Sequence, residues 1–100
     1  MDKNQFIRYV ILLNKVANKE TTQEVINSHV QHLKKLDHEG KLVLSGPFID
    51  YPSGIVIIKA KDKEEAILIA ESDPFVCTGV RSFEVRTWLV ACRENNYLLK

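Results

Sequence analysis

Phe6-Ile7-Arg8-Tyr9-Val10-Ile11-Leu12-Leu13 decides the architecture. The run is rich in β-branched and aromatic residues and too short for a stable helix, so it predicts a strand. Phe6, Arg8, Val10 and Leu12 share one face; Ile7, Tyr9, Ile11 and Leu13 share the other. Both faces are largely apolar, the mark of a strand covered on two sides.

Working outward, Thr21-Thr22-Gln23-Glu24 predicts a helix start, with Thr21 and Glu24 in capping-box positions. Val25, Ile26, Val30, Leu33 and Leu36 follow at helical spacing, and Gly40 is placed to end the helix. Lys41–Ser45 reads as a second strand, broken by Gly46-Pro47. The turn Asp50-Tyr51-Pro52-Ser53-Gly54 leads to a third, Ile55–Ala60. Asp62-Lys63-Glu64-Glu65 is another capping box, opening a short helix that Pro74 stops near Ser72. Residues 81–92 alternate as a fourth strand, with Phe83, Val85, Thr87, Leu89 and Ala91 on one face and Glu84, Arg86, Trp88, Val90 and Cys92 on the other.

The order is β-α-β-β-α-β, which predicts an α+β, ferredoxin-like domain with a four-stranded antiparallel sheet. Both helices would cover one face of that sheet. The other face would be bare, yet strands one and three are apolar on both sides. Exposed apolar patches beyond a few hundred Å² mark interfaces, so a homodimer pressed together through the open sheet face is expected.

The 100 residues suit one domain, with a core at about 5–92 and a short tail at 93–100. Lys and Arg total 14 against 13 Asp and Glu, a formal net charge of +1. That near balance gives no basic face for nucleic acid. No segment approaches the roughly 20 apolar residues that span a bilayer, and the start Met1-Asp2-Lys3-Asn4-Gln5 is unlike a signal peptide. A cytoplasmic location and no membrane partner are expected. Cys77 and Cys92 are the only cysteines and fall in no zinc-like spacing. In a reducing compartment both would stay free thiols.

On a helical wheel with Val25 at zero, the apolar stripe centres near ~70° and His29 falls at about 40°, inside it. His32 lies at the edge and His38 faces water by the same rule. Two readings of His29 compete at this point. One is a core histidine satisfied by a backbone carbonyl. The other is a general acid or base in a cleft, tuned by a carboxylate. Asp73 is the better acid partner, in a loop the fold can bring beside the first helix. Asp73 before Pro74 is also a good N-cap, and the two roles are compatible because a carboxylate has two oxygens.

His29, Glu39-Gly40-Lys41-Leu42, Ser45-Gly46-Pro47-Phe48, Gly54, Asp62-Lys63-Glu64-Glu65-Ala66, Asp73-Pro74-Phe75-Val76, Gly79-Val80 and Glu84-Val85-Arg86-Thr87-Trp88 stand in one order over residues 6–90. In that order and spacing the chain resembles the YCII-related (YciI-like) family. The resemblance implies a ferredoxin-like domain forming a dimeric α/β barrel. It also implies a His and an Asp in a cleft as a catalytic pair, which carry over to His29 and Asp73. The family is related to muconolactone isomerase-like proteins, and one branch acts on a chlorinated hydroxyquinol.

The expected chemistry is therefore that of a cofactor-free lyase, isomerase or hydrolase acting on an unknown small molecule. Ser45, Gly46, Pro47 and Phe75 are candidate lining residues, Gly46 because it allows close approach. Other members often carry alanine where Ser45 stands. Arg8 and Tyr9, one on each face of the first strand, are candidates to hold an anionic group, with cross-strand pairing as the competing role. No metal is expected, since one inward histidine and one carboxylate fall short of a zinc site. A small-ligand binding or sensor module, and a purely structural dimer, are the alternatives.

Overall fold

The computed structural model describes residues 3–100, so Met1 and Asp2, at the head of the polar start, lie outside the described residues. The chain runs β1 (Ile7–Lys15), α1 (Gln23–His38), β2 (Leu42–Pro47), β3 (Ser53–Ile58), α2 (Lys63–Glu71), α3 (Pro74–Cys77) and β4 (Arg81–Leu89). Short 3-10 segments flank these at Lys3–Phe6 and Arg93–Leu98. The strands form one sheet in the order β2-β3-β1-β4, antiparallel throughout. This is the ferredoxin-like α+β arrangement, with one added helical turn, α3, ahead of the last strand.

β1 is central and its two faces are treated differently. Tyr9, Ile11 and Leu13 are buried with Val56, Ile58 and Val85 beneath the helices. Ala66 and Ala70 lie one turn apart on α2 and are both buried, and their small side chains let α2 approach the sheet closely. α1 buries only Leu36, near its C-terminal end. Val25, Ile26 and His29 are half-buried and Val30 is exposed, so the N-terminal half of the stripe stands off the sheet. That gap is where the candidate site lies.

The helix ends follow local chemistry, with one change from expectation. Thr22, not Thr21, caps α1, its Oγ1 accepting from the Val25 N–H at 3.2 Å. At the other end Gly40 sits at φ +75°. Its N–H donates to the Asp37 carbonyl and the Lys41 N–H to the Leu36 carbonyl, the two bonds of a Schellman turn. Asp62 caps α2 through the Glu65 N–H, while the Glu65 carboxylate accepts from the Lys61 N–H, one residue before the reciprocal position expected of a capping box.

Strand limits differ more. β2 continues through Gly46-Pro47 instead of stopping there, because it is an edge strand and Pro47 has no second neighbour that needs its missing N–H. β3 starts at Ser53, inside the expected turn, and β1 reaches Lys15. A bulge between Leu42 and Leu44 moves the side chains of β2 from one face to the other. Leu42 packs on the core, whereas Leu44 is 67% exposed. β4 ends at Leu89, and Ala91 and Cys92, expected in the strand, lead instead into the 3-10 segment. No helix among the described residues is long and apolar enough to cross a membrane.

Candidate active site

Asp73 occupies the joint between α2 and α3. Its backbone is extended, Pro74 follows at the first helical position, and Oδ1 accepts from the Phe75 N–H at 2.9 Å. Pro74 suits that position because its missing N–H would have had no helical partner. The cap fixes the carboxylate in space, and α1 runs past it. His29 Nδ1 lies 2.8 Å from Asp73 Oδ1 and 3.0 Å from Oδ2. The side chains are 13% and 3% exposed, so the bond is screened from water.

An ionised carboxylate only accepts, so it holds the proton of the neutral imidazole on Nδ1. The lone pair is then on Nε2, which makes no hydrogen bond among the described residues. Phe75, delivered by the same turn that Asp73 caps, stacks on the imidazole with ring centroids 3.9 Å apart and planes 7° from parallel. The ring is thus fixed at one edge by Asp73 and across its face by Phe75. Such a nitrogen is placed to accept or deliver one proton.

His29 and Phe75 border a cavity of about 430 Å³ between the N-terminal half of α1 and the β2–β3 end of the sheet. Ile26, Val30 and Leu33 make an apolar wall facing Leu13 and Val56. A Cβ built on Gly54 would come 3.2 Å from the Gly46 carbonyl oxygen, so this glycine lets β2 and β3 close the floor. One turn along α1, burial pushes the His32 imidazole below its ordinary pKa. The Asp73 carboxylate pulls the other way, and His29 and Lys35 add to the lowering.

Of the residues singled out in the sequence, Ser45, Gly46, Pro47 and Phe75 line this cavity together with His29. Arg8 and Tyr9 do not. Tyr9 is buried in the core opposite Ile58 and Thr87, while the cavity lies at the other end of β1, beside Leu13. Arg8 points to the uncovered face and donates to the Gln5 and Ile7 carbonyls. Neither free cysteine lines the cavity.

Thr21, Ser53 and Arg81 also line it, and the sequence reading missed all three. Arg81 was discoverable: it shares strand parity with Phe83 and Val85, which pack on the core, and so heads the helix-covered face of β4. Thr21 carried no such signal once it had been assigned to the helix cap.

The helices over one face of the sheet, with the His–Asp pair at the seam, define a small ferredoxin-like domain of a recognisable kind. The family model for the YCII-related domain matches residues 7–89, and the chain belongs to that family. The uncharacterised protein YjpA of Bacillus subtilis strain 168 is 31% identical over 80 residues, covering 80% of this chain and 94% of that protein. Among solved structures, the chain is similar to 5-chloro-2-hydroxyhydroquinone dehydrochlorinase (TftG) from Burkholderia phenoliruptrix AC1100, in complex with 2,5-dihydroxybenzoquinone. The TM-score is 0.62 at 22% identity, over 81% of this chain and 92% of that one. The protein YJCS matches with a TM-score of 0.53 at 11% identity, over 84% and 98% of the two chains. At these identities the two structures establish a shared fold.

Proposed function

We propose that this YCII-related protein is a cofactor-free, small-molecule enzyme with lyase-, isomerase- or hydrolase-like acid–base chemistry centred on His29. The observation that carries the reading is the Nδ1–Asp73 bond at the edge of a cavity with Nε2 left unbonded. Nε2 takes a proton from the substrate and returns it to another substrate atom or to the leaving group. Asp73 holds the tautomer and stabilises the imidazolium in between. The volume of about 430 Å³ suits a single-ring substrate, in the lower part of the usual range for ligand pockets. TftG, a neighbour by fold, is named a dehydrochlorinase and holds a quinone, which supports a cyclic, carbonyl-bearing class.

The working unit in this reading is a homodimer joined through the open sheet face. What supports it is the apolar character of that face, where Leu44 is 67% and Trp88 43% exposed.

The test is a thermal-shift screen of small metabolites, followed by turnover assays of every compound that raises the melting temperature. A ligand bound only by the folded protein stabilises it by an amount that grows with the logarithm of its concentration relative to Kd. His29→Asn is expected to keep binding the hits while losing about 10²–10⁴ in turnover, the usual contribution of a general acid–base group. Undiminished turnover in that variant would refute the proposal. Hits that bind both forms and react in neither would leave a binding module.

A further inference from the structure

Among the described residues, Arg81 is the only permanently charged one in the cavity wall. Its guanidinium carbon lies 5.2 Å from the centroid of Phe75, the ring that stacks on His29. Nη1 is fully engaged, donating to Thr21 Oγ1 at 2.8 Å and to the Val80 carbonyl at 2.9 Å. The three ion pairs among the described residues are His29–Asp73, Lys41–Glu39 and Arg86–Glu84, so Arg81 has no carboxylate of its own. Nε and Nη2 have no protein acceptor among the described residues. Those two nitrogens form the parallel N–H fork that matches both oxygens of a carboxylate.

A half-buried guanidinium in a mostly apolar hollow, held by one nitrogen and free on its forked edge, lacks a counter-ion that the protein does not provide. Thr21 belongs to the same arrangement. Its hydroxyl accepts from Arg81 and so fixes the guanidinium's rotation, and its own O–H remains available to a bound oxygen.

We propose that Arg81, positioned by Thr21 and Phe75, is the anion-recognition group of this cavity, and that the substrate is a small ring compound bearing a carboxylate. The inference rests on the cavity being a substrate site and names the class of molecule it takes. The carboxylate anchors at Arg81, the ring fills the apolar space under Ile26, Val30 and Leu33, and the reacting atom is presented to His29 Nε2. The specificity comes from the fork, because a neutral ring of the same shape leaves the guanidinium unpaired.

The experiment compares benzoate with its neutral isostere benzamide by ¹H–¹⁵N NMR titration of the wild-type protein and of the Arg81→Gln, Thr21→Val and His29→Asn variants. In the wild type benzoate is expected to bind about tenfold or more tightly than benzamide, a readily resolved difference in Kd. Arg81→Gln should abolish that preference, Thr21→Val should weaken it, and His29→Asn should leave it intact. In the wild type the Arg81 Nε–H resonance should shift on adding benzoate, a readout that does not depend on Arg81→Gln folding. Failure of benzoate to bind at millimolar concentration, equal binding of benzamide, a stationary Nε–H resonance, or a preference that survives in Arg81→Gln would each overturn the proposal. The acid–base reading fails separately, through undiminished turnover in His29→Asn, with the benzoate preference untouched.

Discussion

Asp73 serves two hydrogen-bonding systems with one carboxylate, the cap of α3 and the Nδ1 edge of His29. Its two obvious replacements should therefore behave differently. Asn caps about as well as Asp, so Asp73→Asn should destabilise the fold by less than about 1 kcal/mol. Asp73→Ala loses the cap and strands a screened imidazole N–H, and should cost about 1–3 kcal/mol. Both should lose turnover, because neither stabilises the imidazolium; urea unfolding beside an activity assay separates the two effects. His32 gives a prediction about pH. Burial depresses its pKa below the ordinary 6.5, so the unfolded chain takes up the proton first. The His32 contribution to stability is thus fully present above 6.5 and lost as pH falls from 6.5 through the depressed value. Melting temperatures of wild type and His32→Gln, measured from neutral to mildly acidic pH, should show the steeper decline in the wild type. At this scale the sequence was informative where periodicity acts. The position of His29 inside the stripe and the capping grammar of Asp73-Pro74 were both legible. Their pairing, across 44 positions, was open to expectation only through the topology and the family resemblance, because no local pattern joins residues so far apart.

Elements were harder to delimit than residues were to orient. A helical stripe gives the direction an apolar face points and not its distance from the sheet. The α1 pattern therefore left His29 open between core and cleft, and the structure sets its N-terminal half beside a hollow. Pro47 looked like a strand breaker because sequence does not announce which strand will be an edge. Strand parity was decisive but needed to be followed to the end of β4, where it would have delivered Arg81 to the helix-covered face. Gly40 was read correctly, for a reason that can be measured. It sits at φ +75° with nothing within 4 Å of a Cβ, so Gly40→Ala meets no clash and pays only for the left-handed backbone. The expected cost is about 1 kcal/mol by urea unfolding, with Gly40→Asn closer to wild type.

The whole molecule is elongated, with extents of 48 × 28 × 20 Å, and leaves one side of its sheet without helices. Leu44 reaches that side only because of the bulge in β2, a displacement with no sequence signal. If the open faces pair, as proposed, a single charge there should separate the copies without harming the core. Leu44→Glu, at a position already 67% exposed, is expected to sediment as a monomer at micromolar concentration and melt as a folded protein. Wild-type protein that also sediments as a monomer would remove the dimer. The shared carboxylate has a last consequence, for reading relatives. A relative in which the pair does no chemistry would still need a capping side chain, aspartate or asparagine, to start α3. The histidine caps nothing, so under the proposed acid–base reading its presence or replacement is the better guide to which relatives share that chemistry.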